Sequence, residues 1–350
     1  LSNSRAIKVT AKVTNLSKSK SIKKLKASLW INGKKQSEGL IDIPAKSSTE
    51  KIFFFPLQEN IALNGEVRIE DDALLIDNIR YFNYLPDQSI KVLVVDGDPN
   101  TIEHQSETFY LERALNPFSA SLSNIEPTLT TLAELPEHDL FNYSGIILCN
   151  IRNLSFSYEQ ELEKFVTHGG AMFVSLGDQV DAKFYNEKLG NILPVYLKTV
   201  HQIGKNEEPF RFHGGPSKHP VLNIFKGQAL EEMRSIKFNS IYSVEPREES
   251  DFSTPMVFEN DFPALIESTT GKGKVILFTS SIDRDWNNFS IQPTFLPWIQ
   301  RWIKYSVRGL DNLLQKKLLV GEPFYWEKQP QSSKNYIISP KKRIIPLFSK

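Results

Sequence analysis

The sequence predicts an α/β domain with a mainly parallel, Rossmann-like sheet and helices on both faces, preceded by an immunoglobulin-like antiparallel β-sandwich. Two observations predict it. Residues 1–87 alternate apolar and polar side chains with the period of a half-buried strand and carry no helical period. From 88 to 309 short apolar runs alternate with amphipathic stretches, the pattern of parallel strands joined by crossover helices.

In the first segment Ile7, Val9, Ala11 and Val13 alternate with Lys8, Thr10, Lys12 and Thr14, so one face of that strand is wet. Leu25, Ala27, Leu29 and Ile31 repeat the pattern and run into Asn32-Gly33, residues that tolerate the positive φ of a two-residue hairpin. Runs at 52–55, 66–69 and 79–84 supply further strands. Short strands at this spacing suit a sandwich, a module that usually contacts or positions something else.

In the second segment Ile90 to Val95 reads as an apolar strand ending in Asp96-Gly97-Asp98-Pro99, and a helix over 106–115 follows. Residues 143–148 make the next strand, ending at Cys149-Asn150. Ser157 and Gln160 fit a capping box for a helix whose inner face is Tyr158, Leu162, Phe165 and Val166, and Gly169-Gly170 stops it. A strand over 171–176, the turn Gly177-Asp178 and a helix over 182–189 come next. Residues 191–262 read as loop-rich with a few short strands. A strand over 275–279 leads to a helix after Pro293, with Phe295, Leu296, Ile299, Trp302, Ile303 and Val307 inward and Gly309 at its end. Residues 310–350 read as β-rich and too short for a domain, either the truncated start of a further module or a strand pair added to the first.

Composition narrows the function classes. A chain of 350 residues, 40% hydrophobic and 24% charged, is globular and long enough for two or three domains. A net charge of +1 gives no long-range field toward nucleic acid. Residues 1–60 nevertheless hold 12 Lys/Arg against 4 Asp/Glu, either a solvated face or a patch that meets an acidic partner or an anionic membrane surface. One cysteine excludes an internal disulfide framework and a cysteine-rich zinc site. No apolar run approaches the ~18 residues of a spanning helix. Both ends fall inside predicted elements, as expected of a piece of something larger.

Candidate chemistry concentrates where strands end. Asp96 and Asp98 stand at the carboxyl end of a parallel strand, where α/β sheets place ligands. They read as turn residues accepting backbone hydrogen bonds, as ligands to a metal or polar group, or as a pair that with Thr101 is similar to the haloacid-dehalogenase phosphatases. Asp283, Asp285 and Trp286 follow the late strand, on the same edge. No cofactor is expected from the sequence, but four converging carboxylates would raise one another's pKa or demand a cation, which leaves room for a divalent cation at Asp96, Asp98, Asp283 and Asp285. If Arg284 pairs with one of them, that loop only locks the final helix. Cys149 lacks a recognisable base among His104, His138, His168, His201, His213 and His219, and reads as a buried structural thiol. Asp178 occupies the turn after the middle strand. Glu70-Asp71-Asp72 with Asp77 reads as a solvated turn, or loosely as a calcium loop. The glycine pairs fit neither a P-loop nor a dinucleotide fingerprint.

The stretches GEVRIEDDALLIDNIRYF (65–82), IKVLVVDGDP (90–99), FVTHGGAMFVSLGD (165–178) and GKGKVILFTSSIDRDWNNFSIQPTFLPWIQRWIKY (271–305) resemble the extracytoplasmic part of bacterial membrane-anchored proteins of the BatA-like, aerotolerance type. These pair an adhesion-like β module with a domain similar to class I glutamine amidotransferases. The resemblance implies a periplasmic location on the inner membrane, and partners among membrane or periplasmic proteins. Active amidotransferases carry a nucleophilic Cys on the strand–helix elbow, with His and Glu partners after a late strand. Here the elbow is Gly177-Asp178, and no His follows 275–279. The expectation is therefore a non-catalytic scaffold or interaction region with a degenerate amidotransferase-like domain. Two alternatives stand beside it: a metal-dependent hydrolase or phosphatase using the strand-end carboxylates, and a glycan or small-ligand module contacting aromatic side chains of 191–262.

Overall fold

Alternate burial along the first strands builds a two-sheet sandwich. The computed structural model describes residues 6–57, 63–70, 77–84, 89–117, 124–204, 206–213, 219–248, 250–309, 336–338 and 344–346. The chain divides into two compact units, Leu1–Ser89 and Ile90–Lys350. In the first, β1 (Ala6–Asn15), β2 (Ile22–Ile31), β3 (Lys34–Ile43), β4 (Ser47–Pro56), β5 (Leu63–Ile69) and β6 (Ile79–Tyr84) are all strands. β1 pairs antiparallel with β4 in one sheet, and the other runs β3-β2-β5-β6. Lys8, Thr10, Lys12 and Thr14 are exposed, while Ile7, Val9, Ala11 and Val13 pack on a core of Ala27, Leu29, Ile31, Ile43 and Phe53.

Asn32 (φ 49°) and Gly33 (φ 77°) both adopt the left-handed conformation that closes the β2–β3 hairpin. Strand β3 is absent from the sequence reading. Its segment KKQSEGLIDI buries only Ile41 and Ile43, so pairing with β2, not hydrophobic alternation, makes it a strand. Residues 71–76, most of the loose calcium-loop reading, lie outside the described residues.

The second unit comprises β7 (Ile90–Asp96), α1 (Phe109–Leu115), β8 (Ile125–Thr131), β9 (Gly145–Cys149), α2 (Phe156–Thr167), β10 (Ala171–Ser175), α3 (Ala182–Lys188), β11 (Val195–Gln202), α4 (Gln228–Arg234), β12 (Ser240–Pro246), β13 (Phe252–Val257), β14 (Pro263–Thr270), β15 (Gly273–Phe278), α5 (Phe295–Arg308), β16 (Tyr336–Ile338) and β17 (Ile344–Pro346). Its main sheet has the order β13-β14-β15-β10-β9-β7-β8. β8, β7, β9, β10 and β15 are mutually parallel, and β14 and β13 extend the β15 side antiparallel. β11 and β12 form a separate antiparallel pair, as do β16 and β17, and the rest of 310–350 lies outside the described residues.

Period-2 alternation sends successive strand residues to opposite layers. Val92, Val94, Ile147, Phe173 and Ile276 face α1 and α5, in a core with Leu111, Leu115, Trp298, Ile299 and Trp302. Leu93, Val95, Ile146, Leu148, Met172, Val174 and Leu277 face α2 and α3, with Leu162, Phe165, Val166 and Tyr185. Two helix details differ from the sequence reading. α2 begins after Ser155, whose hydroxyl bonds Ser157 instead of a backbone N–H, so no capping box forms. In α5 Trp298 is fully buried and Leu296 faces outward, because the inward stripe runs through 295, 298, 299, 302 and 303.

Candidate functional site

Strand order reverses between β7 and β9: the chain passes from β7 outward to β8, then returns to build β9 on the other side. Such a switch point leaves a crevice beyond the carboxyl ends of the parallel strands. The segments that end there are Asp96-Gly97-Asp98, Asn150, Gly177-Asp178 and the loop 279–287 after β15.

Asp96 is buried and fully engaged. One carboxylate oxygen accepts the Asp98 backbone N–H at 3.0 Å, and the other accepts the hydroxyls of Ser106 and Thr108, which fixes the approach to α1. Beside it the Asn150 amide donates to Glu107 Oε1 at 2.6 Å and to Asp178 Oδ1 at 2.8 Å, while its Oδ1 accepts the Gln179 N–H. Asn150 holds this position from a left-handed backbone, φ 51°, which Asn tolerates better than most residues. Glu107 is 2% exposed, and burial, with the nearby charge of Asp283, pushes its carboxyl up to about 9. Neutral, it is a hydrogen-bond donor at physiological pH.

The loop after β15 is held just as firmly. Ser280 donates to Ser240 O, Asn287 donates to Ser281 O at 2.8 Å, and the Trp286 N–H meets Ser281 Oγ at 3.3 Å. The Trp286 ring is buried against Tyr242. Asp283 is buried and accepts the Asp285 N–H, and burial pushes its carboxyl up to about 6. Asp98 is raised by its surroundings and by the charges of Asp178, Asp96 and Asp285, which brings the strand-end acids into one electrostatic neighbourhood.

No family model and no curated protein matches the chain. Among solved structures it is similar to a cytoplasmic protein from Salmonella typhimurium LT2, with TM-score 0.50 and 14% identity over 63% of this chain and 100% of that one. A second cytoplasmic protein from Salmonella typhimurium gives 0.49 and 14% over 63% and 99%. A ThuA-like protein from Parabacteroides merdae gives 0.46 and 12% over 67% and 95%. The likeness is one of fold.

The divalent-cation expectation is corrected by the structure. Among the described residues no three His, Cys, Asp or Glu side chains gather in a way that could hold a metal ion. Asp96 and Asp283 spend oxygens on backbone N–H groups. Thr101 lies exposed in the loop after Asp98. Among the described residues no ion pair joins Arg284 to Asp283 or Asp285; hydrogen bonds from the Trp286 N–H and the Asn287 amide to Ser281 hold the loop instead. Cys149 is fully buried in β9, and burial drives its thiol well above the ordinary range. Of the aromatic side chains in 191–262, Phe212, Phe225, Phe238 and Phe258 lie inside the core, whereas Tyr196 is exposed.

Glu107 and Asn150 are the crevice residues that sequence reasoning passed over. Asn150 gave a signal, a polar residue directly after an apolar strand. Glu107 gave none, because a lone Glu beside a short helix reads as solvated. A second buried polar group lies elsewhere, near the start of β15. There Glu267 accepts from His219 at 3.1 Å, Lys274 at 2.9 Å and Tyr305, and the His219 ring stacks on Trp302.

Among the described residues no helix is long and apolar enough to cross a membrane.

Proposed function

We propose that this chain is a non-catalytic interaction region of a membrane-anchored bacterial protein, related to the BatA-like group, held in the periplasm and working with other membrane or periplasmic proteins. The observation that carries the non-catalytic reading is the packing of the turn after β10. A Cβ on Gly177 would stand 2.3 Å from the side chain of Asn150, so position 177 of the elbow, the turn that bears the nucleophile in an amidotransferase, has no room here for a side chain. The one thiol is sealed inside β9.

The outer face of the β1–β4 ribbon supports the interaction reading. Phe54 (66% exposed) and Ile52 (43%) stand side by side on it, opposite Lys8 and Thr10, with Lys12 beyond. An apolar pair flanked by lysines suits a partner surface that is apolar at its centre and acidic at its rim. The test is a photo-crosslinking residue at position 54 of the full-length protein in its own membrane. Capture of one partner, lost when Lys8 and Lys12 are changed to Glu, is the expected result. A cytoplasmic location, or glutamine turnover by the purified chain, would overturn the reading.

A further inference from the structure

Asn15 ties two turns of the first unit into one platform. Its side chain is buried, and the amide donates to Lys20 O at 2.8 Å and to Ile43 O and Pro44 O at 3.2 Å. Its Oδ1 accepts the Ser17 N–H at 3.0 Å, and Ser17 O in turn accepts the Lys46 N–H at 3.0 Å. Strand register places both turns at one end of the sandwich, since Asn15 pairs with Ser47 and Ile22 with Ile43.

That end is basic. Residues 16–24 and 42–47 carry Lys18, Lys20, Lys23, Lys24 and Lys46, all exposed, against a single carboxylate, Asp42. Asp42 stands 3.6 Å from Lys23, and among the described residues Lys18, Lys20, Lys24 and Lys46 form no ion pair. Lys24 and Lys46 both hold a left-handed backbone, φ 53°. The other non-glycine residues described with positive φ are Asn or Asp, which bear that conformation more easily. Lysine at both positions gives up that ease and adds charge.

An apolar side chain stands among the charges. Leu16, next to the buried Asn15, opens the β1–β2 turn and is 85% exposed. A flat acidic partner would leave it in water, whereas the interface of a bilayer accepts an apolar side chain beside cations. Lysines, compact point charges on flexible stems, match mobile headgroups better than they match one fixed anion.

We propose that this end of the first unit docks on an anionic lipid surface, with Lys18, Lys20, Lys24 and Lys46 against the headgroups and Leu16 entering between them. The inference rests neither on the proposed anchoring nor on the Phe54 face.

The test is sedimentation of the whole chain with phosphatidylglycerol-containing vesicles and with pure phosphatidylcholine vesicles. Binding to the anionic vesicles alone, weakened by added salt, is expected. A lysine near such a surface is worth about fivefold in affinity, so Lys18→Glu/Lys46→Glu should lower it on the order of tenfold or more. Lys34→Glu/Lys35→Glu makes the same charge change at the opposite end, beside the Asn32-Gly33 hairpin, and should matter little. Both double variants should keep the parent melting temperature; if the first does not fold, Lys18→Glu alone should weaken binding severalfold. Because Cys149 is buried, a polarity-sensitive thiol dye placed through Leu16→Cys reports on position 16, and its emission should shift to the blue with anionic vesicles only. No sedimentation with those vesicles, equal binding to phosphatidylcholine, or equal losses in the two double variants would each overturn the proposal. So would polyglutamate bound as tightly as the vesicles, or an unshifted dye on vesicle-bound protein.

Discussion

Glu107 and Asn150 meet at 2.6 Å beneath the crevice, the amide donating to a carboxyl that burial keeps protonated. This contact joins the approach to α1 to the end of β9, and through Asp178 it reaches the turn after β10. An amide and a neutral acid can share such a site at little electrostatic cost. A carboxylate there would stand among Asp283, Asp96 and Asp285 without a cation.

Stability should therefore fall as pH rises. Glu107 titrates at about 9 when folded, against an ordinary value of 4.5, so between those values the folded chain holds a proton the unfolded chain has released. The acid's favourable effect is complete below the unfolded value and is lost up to the folded one, at a limiting slope of about 1.4 kcal/mol per pH unit. Glu107→Gln keeps an uncharged partner for Asn150 and should flatten that decline, becoming the more stable form near pH 9. Urea melts at pH 5, 7 and 9 decide it: a variant equally destabilised at all three would mean that Glu107 is ionised in the fold.

The opposite sign is expected at Glu267. Burial alone would raise its carboxyl, but hydrogen bonds from His219, Tyr305 and Lys274 outweigh burial and hold it at about 2. Its contribution is present above the ordinary value of 4.5 and disappears as pH falls toward 2. Glu267→Gln should cost about 3 kcal/mol at pH 7, because Lys274 loses its carboxylate, and much less near pH 3. A cost independent of pH in denaturant melts would sink this account.

Much of this architecture was legible because period-2 alternation and apolar runs are direct readouts of burial. The strands at Ile7 to Val13 and Ile90 to Val95 each declare their layers residue by residue. β3 and β8 escaped because they are polar strands whose partners supply their order, as the segment IEPTLTT of β8 shows. The stretch 191–262 read as loops because its strands are short and irregular: β11 against β12 carries a register shift between Leu197 and Val200, and β13 against β14 carries two. At the crevice, the strand-end position of Asp96 and Asp98 was visible, but hydrogen bonding decides what those acids do. Asp96 gives its oxygens to Asp98, Ser106 and Thr108, a choice that no spacing rule contains.

Cys149 should be chemically silent in the native state. Its side chain is fully buried and its thiol is held protonated by that burial, so the thiolate needed for reaction is scarce. A thiol reagent should label the folded chain no faster than it unfolds, and label it stoichiometrically in denaturant. Cys149→Ser should cost about 1–3 kcal/mol, by placing a hydroxyl in the layer shared with Val94 and Phe173, and should release no ammonia-forming activity. Rapid labelling of native protein would contradict the burial.

Gly177 and Asn150 should be energetically coupled. A Cβ at 177 would meet the Asn150 side chain at 2.3 Å, so Gly177→Ala forces that amide away from Glu107, Asp178 and the Gln179 N–H, at about 2–3 kcal/mol. Asn150→Gly loses the same bonds, and glycine accepts the left-handed backbone there without strain. Once the amide is gone the atoms that the extra methyl meets first are gone too, and the double variant should be about as stable as Asn150→Gly alone. Denaturant melts of the two single variants and the double variant give the coupling directly, with about 2 kcal/mol expected. Gly97→Ala is the contrast: its Cβ would stand 2.2 Å from the Asn150 backbone carbonyl, which no side-chain truncation removes. Its cost, on the order of 3 kcal/mol, should add to that of Asn150→Gly without relief. Additive costs for Gly177 and Asn150 would mean that the turn after β10 is glycine for some other reason, and the packed elbow would no longer argue against catalysis.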